Sequence, residues 1–450
     1  MPDVDQGIIE LVKNAYDADA TLCTVDLKTQ SDGVSSILIH DNGNGMTGSS
    51  LRDGWLVIGR SGKRKKTPTP RFGRMPVGDK GLGRLAALRL GRRVILRTRP
   101  AREPGAEYEL VLDWRAFDAA AVIEDVPINV TRSNTDQEHG TDIIVEDLKS
   151  PLSRSTANKL ARGLILLADP FIDEGGGPDD RPRPSTKPPR EAAQDAAHEL
   201  DPGFKPDFLS NEFDELARKV RLSYFGDAEY RLQAVLDDQG RATFRLLDWK
   251  GDVLHEQAPA EHYLAPAFVF DLWAFILEGG RFSNKTATMA EVKTWLSHVG
   301  GVHVYEDGIR VPPYGGPGDD WLDLNLRRAR NPELRPSTNT AVGRVRLSNL
   351  DRSLIQKTDR IGYIENDAFI ELRRCCGDAL EWAGRVRTRE RDQRRLAERQ
   401  AEKQKTEKAA TRLEAVLTKA PSFASCTSSD VLRQVGSGFS GEMASSGVDI

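Results

Sequence analysis

A chain of 450 residues with 38% hydrophobic content is long enough for two domains with separate cores. Its 64 basic and 68 acidic residues leave a net charge of −4, so no global field favours nucleic acid or a membrane surface, and any basic patch must be local. Cys23, Cys375, Cys376 and Cys426 form no CxxC pair and no metal-like spacing with histidine; with no signal peptide and no apolar run near the roughly 18 residues of a membrane span, the chain reads as cytoplasmic, without zinc or membrane contact.

Residues 4–19 place Ile8, Leu11, Val12 and Ala15 at helical spacing, and alternation at 24–27 and 36–39 predicts strands, so a helix is laid on a sheet. The chain enters that helix almost at once. The expectation is a missing dimer-forming segment before it, or a misassigned start. Gly43, Gly45 and Gly48 end the second strand, a short helix is predicted at 49–58, and the basic, proline-containing stretch 60–74 has the composition of a mobile lid. Gly78, Gly81 and Gly83 open a further helix through Leu90, after which strands are predicted at 94–98, 108–112, 128–131 and 142–146. Residues 1–170 therefore read as a helix-backed, largely antiparallel sheet.

Residues 171–206 contain Gly175-Gly176-Gly177 and five prolines between Pro178 and Pro189, a composition that buries no core and reads as a linker or surface insertion. The second domain, 207–384, is predicted as α/β. It has strands at 220–225, 230–236, 243–248, 268–277 and 342–347, and a helix at 289–299. A hairpin over 302–311 turns at Asp307-Gly308, and a helix over 364–387 closes the domain. Residues 385–418 are strongly charged without sustained heptads and read as a solvated helical extension; 419–450, rich in Ser and Gly, read as disordered.

The chemistry concentrates near the start. Glu10, Asn14 and Asp17 are spaced by four and three residues, so a helix projects all three from one stripe, beside a glycine turn that carries Asp41. Singly these pieces are common. In order and spacing, Glu10/Asn14/Asp17, Asp41-x-Gly43-x-Gly45, Gly78-x-x-Gly81-x-Gly83 and His139-Gly140-Thr141 resemble the four nucleotide-binding boxes of the GHKL superfamily. That superfamily holds the ATPases of gyrase B, the large heat-shock chaperone, histidine kinases and MutL. The hairpin and the segment through Trp321-Leu322 further resemble bacterial chaperone-like and MORC-like ATP-binding proteins.

The resemblance covers about the first 150 residues by motif and implies the Bergerat fold, an α/β sandwich that binds ATP and Mg²⁺. It assigns Glu10 as the general base for the attacking water and Asn14 as the Mg²⁺ ligand through its side-chain oxygen. Asp41 accepts the adenine N6 hydrogen bond, Gly43 and Gly45 let backbone approach the purine with Met46 beside them, and Thr141 supports Asp41. Asp17 reinforces the ribose and adenine side or stands behind it. Gly78, Gly81 and Gly83 fold over the triphosphate, with Leu82 at the start of the following helix and Lys80 on a phosphate. The basic run 63–66 is balanced between phosphate contact and a solvated cluster, and His139 is expected to pack or cap rather than catalyse.

Histidine kinases of this superfamily lack a hydrolytic base at the position of Glu10, so the resemblance implies hydrolysis over phosphotransfer, with protein kinase activity a remote alternative. The second domain resembles the transducer domain, a ribosomal-protein-like fold, that follows the ATPase in gyrase B, MutL and the chaperone. There Gln356-Lys357-Thr358-Asp359-Arg360 resembles the gyrase-type Gln-Thr-Lys loop in position but not in order, which makes Lys357 and Arg360 the candidate γ-phosphate sensors. The implied function is an ATP-driven homodimer clamp acting on a protein client or on DNA. A chaperone-like client holder and a non-catalytic interaction module, in which ATP is structural, stay open.

Overall fold

A computed structural model describes residues 4–30, 33–56, 67–77, 87, 90–119, 128–150, 152–171, 201–210, 224–278, 282, 287–330, 335–349, 351–357 and 361–419. The chain divides into two compact units, Met1–Gly384 and Arg385–Ile450. Residues 60–66 of the predicted lid, residues 78–83 of the predicted phosphate loop, the first residues of the strand expected at 220–225, and the expected tail lie outside the described residues.

The first sheet is built from β1 (Leu22–Gln30), β2 (Gly33–Asp41), β3 (Gly91–Arg99), β4 (Ala106–Asp113), β5 (Val130–Asn134), β6 (Gly140–Leu148) and β7 (Lys205–Ser210), in the order β5-β4-β3-β6-β2-β1-β7. Every pairing is antiparallel except β1 with β7. Helices α1 (Val4–Asp17) and α2 (Arg154–Ile165) cover one face. Period-2 alternation turns Val25, Leu27, Ile37, Ile39, Leu96 and Val145 into the same core as Ile8, Leu11 and Val12 of α1 and Leu160 and Leu164 of α2. The opposite face carries cross-strand ion pairs, Arg93–Glu146 and Arg97–Glu109 at 2.8 Å and Arg99–Glu107 at 3.0 Å. The Arg93 and Arg97 pairs are half-exposed and add at most about 1 kcal/mol each, so the buried helix face holds this layer together.

The second sheet runs β10-β9-β8-β11-β14-β12-β13, with β8 (Tyr230–Leu236), β9 (Ala242–Leu247), β10 (Val253–Gln257), β11 (Phe268–Ala274), β12 (Gly301–Glu306), β13 (Ile309–Arg310) and β14 (Ala341–Leu347). Only β12 with β14 is parallel. Helix α3 (Met289–Val299) packs Val292, Trp295, Leu296 and Val299 against Trp273, Tyr305 and Val342. It starts where the sequence predicts because Thr288 and Glu291 form a capping box, the Thr288 hydroxyl accepting from the Glu291 N–H at 3.3 Å and the Glu291 carboxylate accepting the Thr288 N–H at 2.8 Å. A short helix, α4 (Leu324–Arg330), follows, and α5 (Asp367–Lys419) sets Trp382 6.0 Å from Phe244 on β9. The mixed α/β architecture with a long C-terminal helix agrees with the sequence expectation.

Several elements differ in extent. Phe225 begins a 3₁₀ turn, Phe225–Asp227, instead of ending a strand. The strand expected over 268–277 stops at Ala274. The closing helix and the charged extension are one continuous helix whose residues 392–412 are all exposed. Among the described residues no helix is long and apolar enough to cross a membrane.

Two groups join the layers inside the first unit. The Tyr16 hydroxyl donates to the Asp307 carbonyl at 2.9 Å, and the Arg310 N–H donates to the Leu167 carbonyl at 2.8 Å, which seats the β12–β13 hairpin on α1 and the end of α2. Beneath it, Asp271 of β11 is fully buried and meets Arg231 at 2.8 Å and Arg344 at 3.3 Å. Burial alone would raise its carboxyl, but Arg231, Arg344 and Arg346 hold it below the ordinary carboxylate value.

Candidate functional site

The site forms where β2 ends against the C-terminus of α1. Asp41 is the last residue of β2, paired across from Thr141 on β6, and its Oδ1 accepts the Gly43 N–H at 2.9 Å. Burial pushes the Asp41 carboxyl up to about 6, against the lowering pull of the Gly43 N–H, His40 and the Thr141 backbone. Backbone donors from Gly43 and Thr141 thus fix the carboxylate at the mouth of the turn. The turn that follows depends on two glycines. A Cβ on Gly43 would lie 2.8 Å from the Ala18 carbonyl, and Gly45, at φ +62°, would put one 2.1 Å from the Arg99 carbonyl. The Met46 N–H donates to Thr98 Oγ1 at 2.8 Å, and that hydroxyl lies 3.2 Å from Thr141 Oγ1, so a pair of threonines backs the turn. His139 bonds the Gly43 carbonyl through Nδ1 at 2.8 Å and so braces the turn from the other side.

Helix α1 supplies the second wall. The Asn44 N–H donates to the Ala18 carbonyl at 2.8 Å, which brings the end of the Glu10/Asn14/Asp17 stripe against the Asp41 turn. Glu10 Oε1 is held by Lys13 Nζ at 2.9 Å, and Lys13 is buried. Asn14 is half-buried and its side-chain amide makes no hydrogen bond among the described residues, which leaves its oxygen available. Asp17 Oδ1 accepts the Val77 N–H at 2.7 Å and so fastens the residue before Gly78.

Two anchoring residues escaped the sequence reading. Asp19, buried at φ 59°, accepts from the Arg71 N–H at 3.0 Å and from Asn44 Nδ2 at 3.2 Å, tying the 67–77 segment to the Asp41–Met46 turn. Arg74 forks onto Asp201 at 2.9 and 2.7 Å, with its guanidinium 4.7 Å from the Tyr16 ring and 4.8 Å from Phe72. A partner 127 residues away leaves no local signal.

Gly78, Lys80, Gly81, Leu82, Gly83, the basic run 63–66 and Arg360 lie outside the described residues. Lys357 is exposed on a hairpin in which the Ile364 N–H donates to the Ile355 carbonyl at 2.8 Å, and it makes no ion pair among the described residues. That hairpin is tied to β12 by Gln356 Nε2, which donates to Glu306 at 2.9 Å.

Residues 3–141 match the family model described as histidine kinase-, DNA gyrase B- and HSP90-like ATPase. The N-terminal region is similar to the ATPase domains of this family. No curated protein matches the chain. A solved structure described as the N-terminal domain of a DNA repair protein is similar at TM-score 0.46 and 13% identity, over 86% of this chain and 96% of that one. The matched span takes in α1, the Asp41 turn and the start of β6, the elements that meet around Asp41.

No three His, Cys, Asp or Glu side chains gather into a metal cage among the described residues. Mg²⁺ needs no such cage, since it reaches a nucleotide site through one or two protein oxygens plus phosphate oxygens and water. Asn14 offers one side-chain oxygen on this wall.

Proposed function

We propose that the chain binds ATP with Mg²⁺ between α1 and the Asp41–Met46 turn, hydrolyses it, and works as an ATP-dependent homodimer clamp. The observation that supports this reading is the packing of the Asp41 turn on the end of α1, the helix that carries Glu10 and Asn14. Glu10 takes the proton of a water whose oxygen attacks the γ-phosphorus, and ADP leaves with the electron pair of the broken P–O bond. Lys13 holds the Glu10 carboxylate in place. Mg²⁺, when bound, neutralises charge developing on the phosphate oxygens. The first sheet with its helices, β7 included, acts as the catalytic layer and the second sheet as a transducer; the Tyr16–Asp307 and Arg310–Leu167 hydrogen bonds support that pairing by joining α1 and the segment after α2 to the β12–β13 hairpin. Lys357 and Arg360 stay the sensor candidates, and Lys80 with Gly78, Gly81, Leu82 and Gly83 the phosphate loop.

For the partner, the exposed helix favours nucleic acid. Residues 385–399 hold seven arginines against Glu390, Asp392 and Glu398. The test is ATP turnover per protomer as a function of protein concentration, with and without duplex DNA. A dimer clamp gives turnover that rises with concentration, and DNA binding that ATP strengthens and salt weakens. Turnover independent of concentration would remove the dimer, and bound nucleotide without turnover would favour the non-catalytic module.

A pH dependence follows from Asp41. Its folded value, about 6, lies above the ordinary 3.8, so ionising it costs the unliganded protein stability: that stability is full below the ordinary value and is lost as pH rises through about 6. Adenine N6–H needs the ionised form. ATP affinity measured by calorimetry therefore falls as pH drops below about 6, and Asp41→Asn flattens the profile; an unchanged profile in that variant places the titrating group elsewhere.

A further inference from the structure

Away from the nucleotide turn, cations cluster where the β12–β13 hairpin meets the end of α2. Arg310 stands opposite Tyr305 across the hairpin, and Arg162 lies on the last turn of α2. Burial and the neighbouring Arg310 push the Arg162 guanidinium down to about 10, and burial lowers Arg310 as well. Burial, together with Arg310 and Arg162, keeps His303 beside them neutral. Arg310 gives one Nη to the Tyr314 carbonyl at 3.1 Å. Its Nε, the Nε of Arg162 and the hydroxyl of the fully buried Tyr305 are buried with no hydrogen-bond partner among the described residues.

Elsewhere in this junction the chain supplies carboxylates. Arg344 pairs with Asp169 at 3.0 Å, and Arg231 with Asp271 at 2.8 Å. Among the described residues no carboxylate bonds Arg162 or Arg310, and the nearby Asp319 is committed to the Gly315 N–H at 2.9 Å. Water would satisfy the orphan donors and leave two like charges facing each other. A small anion answers both needs, because it accepts from each donor and cancels the repulsion.

We propose that Arg162, Arg310 and Tyr305 form a binding site for a small oxyanion, phosphate or carboxylate, at the junction between the two sheets. Bound there, the anion bridges α2 to the hairpin, and it owes nothing to the nucleotide site. The test is thermal unfolding of the full chain in phosphate, acetate or chloride at constant ionic strength with a chelator present. Phosphate, acetate or both raise Tm by several degrees over chloride, and which of them does so separates the two anion sources. Arg162→Met and Arg310→Met abolish the rise, Tyr305→Phe weakens anion binding severalfold, and Asp41→Asn keeps the rise. Equal Tm in all three salts overturns the site, as does a rise that survives in both methionine variants or disappears in Asp41→Asn. Should an arginine variant not fold, the wild-type salt comparison and Tyr305→Phe decide the matter.

Discussion

Replacing Glu10 by glutamine lowers ATP turnover by about 100- to 10,000-fold, the span a positioned general base contributes, while ATP affinity changes little. Glutamine matches the carboxylate in size and still offers Oε1 to Lys13, which donates to Glu10 at 2.9 Å, so the local packing survives. What it lacks is the ability to take a proton from water. Asn14 and Asp41, which serve the ion and the base in the proposed site, are untouched, so binding and chemistry separate cleanly. Glu10→Ala reaches the same turnover but is less stable, because the buried Lys13 ammonium loses its acceptor. Phosphate release at saturating ATP, alongside a calorimetric dissociation constant, reads both effects. Turnover within twofold of wild type removes Glu10 from the mechanism.

The second large effect concerns folding. Asp271→Ala destabilises the chain by about 3–5 kcal/mol, the usual consequence of stripping one partner from a buried ionic cluster. Asp271 accepts from Arg231 at 2.8 Å, Gln233 at 3.2 Å and Arg344 at 3.3 Å with no exposure to solvent, so its loss removes the buried counter-charge that these guanidinium groups share. Arg344 retains Asp169 at 3.0 Å, which caps the damage. The sign with pH follows from the lowered folded value: the contribution is present above the ordinary carboxylate value of 3.8 and is lost as pH falls toward the lower folded value. Urea unfolding at neutral pH and near pH 3 measures both, with the gap between wild type and variant narrowing in acid. A gap below about 1 kcal/mol at neutral pH shows that the cluster is not a net stabiliser.

The sequence announces elements whose signals are local. Ile8, Leu11 and Val12 place α1, Asp307-Gly308 places the hairpin, and Thr288 with Glu291 fixes the first residue of α3. The Glu10/Asn14 stripe and Asp41 are legible for the same reason, since helical spacing and a glycine turn are written within a few residues. β10 is hidden because all five of its residues are exposed, which erases the alternation that marks a half-buried strand. β7 is hidden because a parallel edge strand carrying Pro206 has no hairpin partner nearby in sequence. Asp19 and Arg74 read as ordinary surface charges until the fold brings Arg71 and Asp201 beside them.

The position of β7 decides what can be cut away. The N-terminal half is discontinuous along the chain: β7 hydrogen-bonds along β1 from Leu22 to Leu27, and Phe208 fills the same core as α1. A fragment ending at residue 170 would strip β1 of its neighbour, leave Arg74 without Asp201, and present an open strand edge of the kind that pairs with other chains. The smallest autonomous piece of the N-terminal half therefore has to reach Ser210, well past the end of the family match.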